Sequence, residues 1–305
     1  MHIAVLDLGT NTFHILIAKN EKKNISIIYR DEQWVYLAEK GIETIAQSAI
    51  QRAELVLKKY SQIINNYSCE ISIAIGTAAF RKASNSDVLK EMVNSILSCE
   101  VNIIEGNKEA ELIYKGVRWA CNLSHEKCLI MDIGGGSTEF IIANKKEVFW
   151  KKSYPLGASV LKQKFHHHEP VLSEEIKEMK KYLKSQLEEL STEMQKHSIA
   201  KLIGASGSFD SFRDCLNREI IPVNEQQDNT ELNKTELLLL FQELIKLDWD
   251  ERKKYPGVVN FRAEMIVTAS IITEYIIETF SIESISQSAY ALKEGVLMEL
   301  LDKKG

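Results

Sequence analysis

Residues 130–143 read IMDIGGGSTEFIIA, and residues 5–18 read VLDLGTNTFHILIA. The two stretches align without a gap, Asp7 on Asp132, Gly9 on Gly134 and Ala18 on Ala143, at a constant offset of 125 residues. Each is an apolar run, a polar turn containing glycine, and a second apolar run, the pattern of two strands joined by a turn. A chain of 305 residues is long for one core, and a hairpin written twice at this offset points to two lobes.

Around each hairpin the same grammar follows. In the first half, residues 25–29 supply a third strand. Ile45, Ala49, Ala53, Val56, Leu57, Ile63 and Ile64 fall at helical spacing within residues 43–66, ahead of the strand ISIAIG from Ile71. A helix over residues 87–97 and a strand near 101–104 continue the alternation. In the second half a strand over 147–154 precedes a long helix, with Ser173 as N-cap, Glu174 and Glu175 in its first turn, and an apolar stripe from Ile176 to Met194. The segment AKLIGASGSFDSF (200–212) then reads as strand, glycine turn and helix, and residues 262–280 as a further amphipathic helix. Alternating strands and helices predict a mixed α/β class, with a compact crossing between the halves near residue 120.

Composition narrows the function classes. Charged residues make up 27% and hydrophobic residues 45%, ordinary for a globular protein. Lys and Arg number 38 against 43 Asp and Glu, so no basic field recommends duplex nucleic acid as partner. No apolar stretch approaches the roughly 20 residues needed to cross a bilayer, and Met1 runs almost directly into a strand, so no membrane is expected and the cytoplasm is the expected place. Five cysteines without a C-x-x-C pair predict reduced, mostly buried thiols. The run His166, His167, His168 reads as a solvated segment in preference to a zinc site, because consecutive side chains point in different directions.

The turns carry the chemistry. Glycine lets a backbone approach an anion and aim consecutive amides at it, which makes Gly134, Gly135 and Gly136 candidate phosphate ligands. Ser137 and Thr138 add hydroxyl donors, and in the first copy Thr10 and Thr12 add hydroxyls and Asn11 a side-chain amide. Carboxylates beside a bound phosphate repel it unless a hard cation intervenes, so Asp132 and Glu139 point to Mg²⁺. Neither turn is a G-x-x-x-x-G-K-[ST] loop, and a dinucleotide fingerprint needs a helix after its glycines where this chain has a strand. Arg81, in IGTAAFRKASN (75–85), offers a planar fork to phosphate oxygens. Glu109 and Glu111, in IIEGNKEAELIYKGV (103–117), stand near a helix start.

With these residues assembled, the chain resembles the exopolyphosphatase and guanosine pentaphosphate phosphohydrolase family. DLGTNTFHILIA, GTAAFRKASN, GNKEAELIYKGV, DIGGGSTEFIIA, YPLGASVLKQKF and ALKEGVL follow in the family's order and span essentially the whole chain. The resemblance implies two ribonuclease-H-like lobes of the actin, sugar-kinase and Hsp70 superfamily with a cleft between them. The lobes would be residues 1–120 and 121–287, with a C-terminal helix in 288–305 returning to the first. It further implies Glu109 as catalytic base, Asp132 and Glu139 as metal residues, and Arg81 with both turns as phosphate contacts. Polyphosphate or guanosine pentaphosphate would be the substrate and Mg²⁺ the cofactor, and the family also suggests a homodimer. Lys108, Val160, Lys293 and the GASGS turn depart from the family's usual residues. Two other functions stay open: a phosphotransferase on the same fold, and a non-catalytic sensor of polyphosphate or a hyperphosphorylated nucleotide.

Overall fold

In the computed structural model, which describes residues 1–21 and 24–302, both glycine-turn stretches are hairpins. The first half contains β1 (His2–Leu8), β2 (Thr12–Glu21), β3 (Asn24–Trp34), α1 (Gln47–Asn66), β4 (Ile71–Gly76), α2 (Ala78–Lys82), α3 (Ser86–Leu97), β5 (Val101–Ile103) and α4 (Gly106–Ala120). The second begins with β6 (Cys128–Ile133), β7 (Thr138–Ala143), β8 (Val148–Tyr154), α5 (Ala158–Phe165), α6 (Ser173–Gln186), α7 (Glu188–Lys196), β9 (Lys201–Ala205) and α8 (Ser206–Asn217). It ends with β10 (Asn229–Leu232), α9 (Lys234–Lys246), α10 (Trp249–Lys254), a 3₁₀ turn (Asn260–Arg262), α11 (Ile266–Thr279), β11 (Ser284–Ser288) and α12 (Leu292–Asp302).

The sheets repeat one topology. The first runs β3-β2-β1-β4-β5 and the second β10-β11-β9-β6-β7-β8. In each, a three-stranded antiparallel meander is extended by two parallel strands, β4 and β5 or β9 and β11. The two-lobed architecture read from the repeat is therefore the architecture observed.

Strand alternation distributes the core into three layers. On β1, Leu6 and Leu8 face outward onto α1 and α3, where Ala53, Leu57, Leu89 and Val93 cover them. Ile3 and Val5 face inward, toward Ile130 and Ile141 of the second sheet, with α4 and α12 filling the space between. Both faces of these strands are buried, which is why the sequence shows near-continuous apolar runs. α4, at the end of the first half, packs on β7 and β8; α12, at the end of the chain, packs on α4, β1 and β2. The helix expected to return from 288–305 does so over Leu292–Asp302, and residues 303–305 lie outside the described residues.

Several local expectations change. The long helix from Ser173 breaks at the buried Leu187 into α6 and α7, and Ser173 is its first helical residue, not its cap. Glu175 instead reaches back to the Leu172 amide at 2.9 Å. α11 starts at Ile266 and is buried on nearly all sides, so it is not amphipathic. β9 passes into α8 without a turn, through Ser206 at φ 71°. His166 is buried, its ring 3.3 Å from Glu169, and burial lowers its pKa, so only His167 and His168 are exposed. All five cysteines are free and three are buried. None of the described helices is long and apolar enough to cross a membrane.

Candidate active site

The two turns are built alike and face each other. In the first, the Gly9 amide donates to the Thr12 carbonyl at 3.0 Å; in the second, the Gly134 amide donates to the Ser137 carbonyl at 2.9 Å. α5 fixes the second turn further, its Ala158 and Ser159 amides donating to the Gly134 and Gly135 carbonyls at 2.9 and 3.0 Å. In a trans peptide the N–H opposes the C=O, so the Gly135 and Gly136 amides point away from α5. The glycines also permit the approach of the first turn. A Cβ on Gly135 would lie 2.7 Å from the Asn11 side chain, and one on Gly136 2.9 Å from Thr10 Oγ1. Ser159 Oγ donates to Asn11 Oδ1 at 3.0 Å across the same junction.

Between the turns lies a cavity of about 910 Å³, counted with its open mouth. Thr10, Asn11, Thr12, Glu109, Asp132, Gly134, Gly135, Gly136, Ser137 and Glu139 all line it. Two expected residues do not. The Thr138 hydroxyl is fully buried and donates to the Leu156 carbonyl at 2.8 Å. β7 sends alternate side chains to opposite faces, so Thr138 turns away where Glu139 turns in. Arg81 stands behind Glu109, its Nη1 donating to Glu109 Oε2 at 2.8 Å and to the Ile104 carbonyl at 2.6 Å.

Reading by motif missed others. Asp7 lines the cavity, and the repeat itself pointed to it, since it occupies the position of Asp132. Asp7 pairs in register with His14, and Asp132 with Glu139, so His14 and Glu139 are equivalent positions of the two hairpins. His14, Thr77, Ser206 to Ser208, Ser211 and Arg262 complete the polar lining. Trp34, Met265, Ile266, Ala269 and Leu292 add apolar surface to the lining.

The carboxylates are held in a costly environment. Burial, opposed by Lys293 and aided by Glu109, pushes Asp7 up to about 8. Burial and the Glu109 charge push Asp132 up to about 7, against a hydrogen bond from Ser206. Glu139 rises well above the carboxylate range through burial and repulsion by Glu109 and Asp132, although Ser153 Oγ donates to it at 2.7 Å. Burial also raises Glu109, offset in part by Arg81. Converging buried acids of this kind mark a functional site.

All-oxygen donors and surplus negative charge suit a hard cation. Among the described residues no three His, Cys, Asp or Glu side chains enclose a metal by themselves. Mg²⁺ keeps several of its waters and takes one or two carboxylates plus substrate oxygens. Thr10 Oγ1 is buried and has no partner among the described residues, a vacancy in the hydrogen-bonding inventory that a phosphate oxygen would satisfy.

The geometry has counterparts in known proteins. The model of the Ppx/GppA phosphatase family matches residues 16–304. A crystal structure of an exopolyphosphatase from Cytophaga hutchinsonii superposes with a TM-score of 0.95 at 35% identity, covering 99% of this chain and 98% of that one. A Haemophilus influenzae protein assigned provisionally as an exopolyphosphatase is 27% identical over 98% of this chain and 91% of its own length. The guanosine-5'-triphosphate,3'-diphosphate pyrophosphatase of Pseudoalteromonas translucida is 28% identical over 98% of this chain, which spans 59% of that longer protein.

Proposed function

The chain belongs to the Ppx/GppA phosphatase family, and from that premise we propose that its cleft hydrolyses the terminal phosphoanhydride of polyphosphate or guanosine pentaphosphate. One observation carries the reading: Glu109 from the first half and Asp132 and Glu139 from the second line one cavity, bordered by both copies of the glycine turn. Catalysis of phosphoryl transfer is mostly positioning and charge stabilisation, and a site divided between two lobes can grip a phosphate from both sides.

Each residue then has a task. Thr10, Asn11 and Thr12 from one turn and Gly134 to Ser137 from the other bind and orient the phosphates. Glu109 orients the attacking water and accepts its proton at a carboxylate oxygen, its raised pKa making it a better base than an exposed glutamate. Arg81 fixes the orientation of Glu109 and keeps its carboxylate from being protonated outright. Asp132 and Glu139, with Asp7 beside them, would hold Mg²⁺, which supplies positive charge against the phosphate oxygens when bound.

The apolar residues in the cavity lining favour a second reading, in which the substrate carries a nucleoside, as guanosine pentaphosphate for hydrolysis or as the donor in a phosphotransferase. Phosphate release from polyphosphate and from guanosine pentaphosphate, side by side with and without Mg²⁺, tests the proposal. Mg²⁺-dependent release from either supports hydrolysis. ADP and a phosphorylated acceptor formed from ATP, without release of free phosphate, support transfer, and tight anion binding without turnover supports a sensor.

A further inference from the structure

Two side chains that stand outside the cavity lining, Ser153 and Arg81, each hold a carboxylate that lines it, and the two meet at one glycine. β7 and β8 pair Glu139 with Ser153 in register, so both side chains lie on one face of the second sheet. Ser153 Oγ donates to Glu139 Oε1 at 2.7 Å. The Ser137 hydroxyl, from the glycine turn, bonds the same carboxylate. α4 packs on β7 and β8 and opens with Gly106, whose backbone sits against Ser153. A Cβ on Gly106 would lie 2.6 Å from Ser153 Oγ, closer than a side chain tolerates, and 3.8 Å from Arg81 Nη2. Arg81 in turn holds Glu109, three residues further along α4.

We propose that Ser153 is a positioning residue for the metal, holding Glu139 in the orientation in which it takes a divalent cation, and that Gly106 is the contact that keeps Ser153 in place. The inference rests on reading Asp132 and Glu139 as the Mg²⁺ residues. A carboxylate free to rotate must be ordered each time a cation binds, and a hydrogen bond made beforehand removes that cost. The glycine is what lets α4 come so close: a methyl group at residue 106 has to displace either Ser153 or the start of α4. Ser153 belongs to the second half and Gly106 to the first, so this one contact ties the metal carboxylate of one lobe to the helix that carries Glu109 in the other.

Binding of Mn²⁺, as a spectroscopic substitute for Mg²⁺, to the full chain tests it, followed by electron paramagnetic resonance with and without imidodiphosphate. Ser153→Ala keeps the Cβ against Gly106 and removes only the hydroxyl. It is expected to weaken Mn²⁺ by about 10- to 100-fold, the usual cost of losing the hydrogen-bond partner of a metal ligand. In a Glu139→Ala background the same substitution should change the residual affinity by less than about twofold, since it acts through that carboxylate. Gly106→Ala retains the hydroxyl but displaces it, and should weaken Mn²⁺ in the same direction.

A Ser153→Ala chain that is folded and binds Mn²⁺ as wild type does overturns the assignment, whatever its melting temperature, because a serine that merely packs would alter stability alone. Should that variant fail to fold, the same measurement on Ser153→Cys, whose thiol is a weak donor, decides it. A loss that persists in full without the Glu139 carboxylate also overturns it, and wild-type affinity in Gly106→Ala overturns the part given to the glycine. A wild-type chain that binds no Mn²⁺ under either condition refutes the metal reading itself, and this inference falls with it. Mn²⁺ held through Ser153 and Glu139 in a chain that releases no phosphate refutes the hydrolase reading and leaves this one standing.

Discussion

Arg81 Nη1 lies 2.8 Å from Glu109 Oε2, so the cation expected to hold phosphate is bound to the residue expected to handle water. Both side chains are largely buried, 15% and 9% exposed, which leaves little solvent to screen the pair. The pairing changes what the loss of Arg81 should do.

In Arg81→Ala the opposing charge is gone and burial alone acts on Glu109, raising its pKa further. The acid limb of the kcat/KM profile should move to higher pH, so the variant loses more activity at pH 6 than at pH 9. A profile displaced only downward, with KM raised and the limb unmoved, would return Arg81 to a direct phosphate contact.

Ser206 joins β9 to α8 at φ 71°, in the region that disfavours a side chain, while its hydroxyl is bonded to Asp132. Ser206→Ala keeps the backbone strain and loses the hydrogen bond; Ser206→Gly loses both. The glycine variant should therefore be more stable than the alanine variant by about 1 kcal/mol in urea unfolding. Equal stabilities, or a more stable alanine variant, would mean that this position carries no strain.

Asp132 holds a proton in the folded protein up to about pH 7, whereas in the unfolded chain it ionises near 3.8. That protonation stabilises the fold fully below the unfolded value, and the contribution is lost as pH rises through the folded one. Asparagine cannot ionise, so Asp132→Asn should gain on wild type by about 1 to 3 kcal/mol between pH 4 and pH 8 in chelator-treated protein. A difference between the two proteins that stays constant with pH would show that Asp132 is not held in a raised state.

How much of this was legible depends on what sets each feature. The hairpins, their offset and the cavity's glycine wall follow from local pattern: apolar runs make strands, and only glycine admits the Asn11 and Thr10 side chains so close to Gly135 and Gly136. Asp7 was legible too, because whatever brings Asp132 to the cavity brings its repeat partner. Thr138 was misjudged by reading Ser-Thr as a unit, although strand alternation puts Thr138 opposite Glu139. Arg81 and Arg262 lay beyond reach for a different reason. Their partners, Glu109 and Glu32, are 28 and 230 residues away in sequence, and pairings of that kind are fixed by how helices and lobes pack. The break at Leu187 and the late start of α11 are likewise tertiary: a buried Leu187 and an all-round buried helix answer to neighbours, not to their own periodicity.

The central claim is that Glu109 acts on water in a phosphoanhydride-hydrolysing cleft, and the single-turnover rate of phosphate release by Glu109→Gln, on the substrate that wild type hydrolyses, tests it most directly. Glutamine keeps the size and a hydrogen-bonding oxygen for Arg81 but cannot accept the proton. The rate should fall by roughly 10² to 10⁴ while substrate binds at least as tightly as to wild type, because a carboxylate no longer faces the anion. A variant that releases phosphate within about threefold of the wild-type rate would contradict the account, since the smallest loss expected of a general base is far larger.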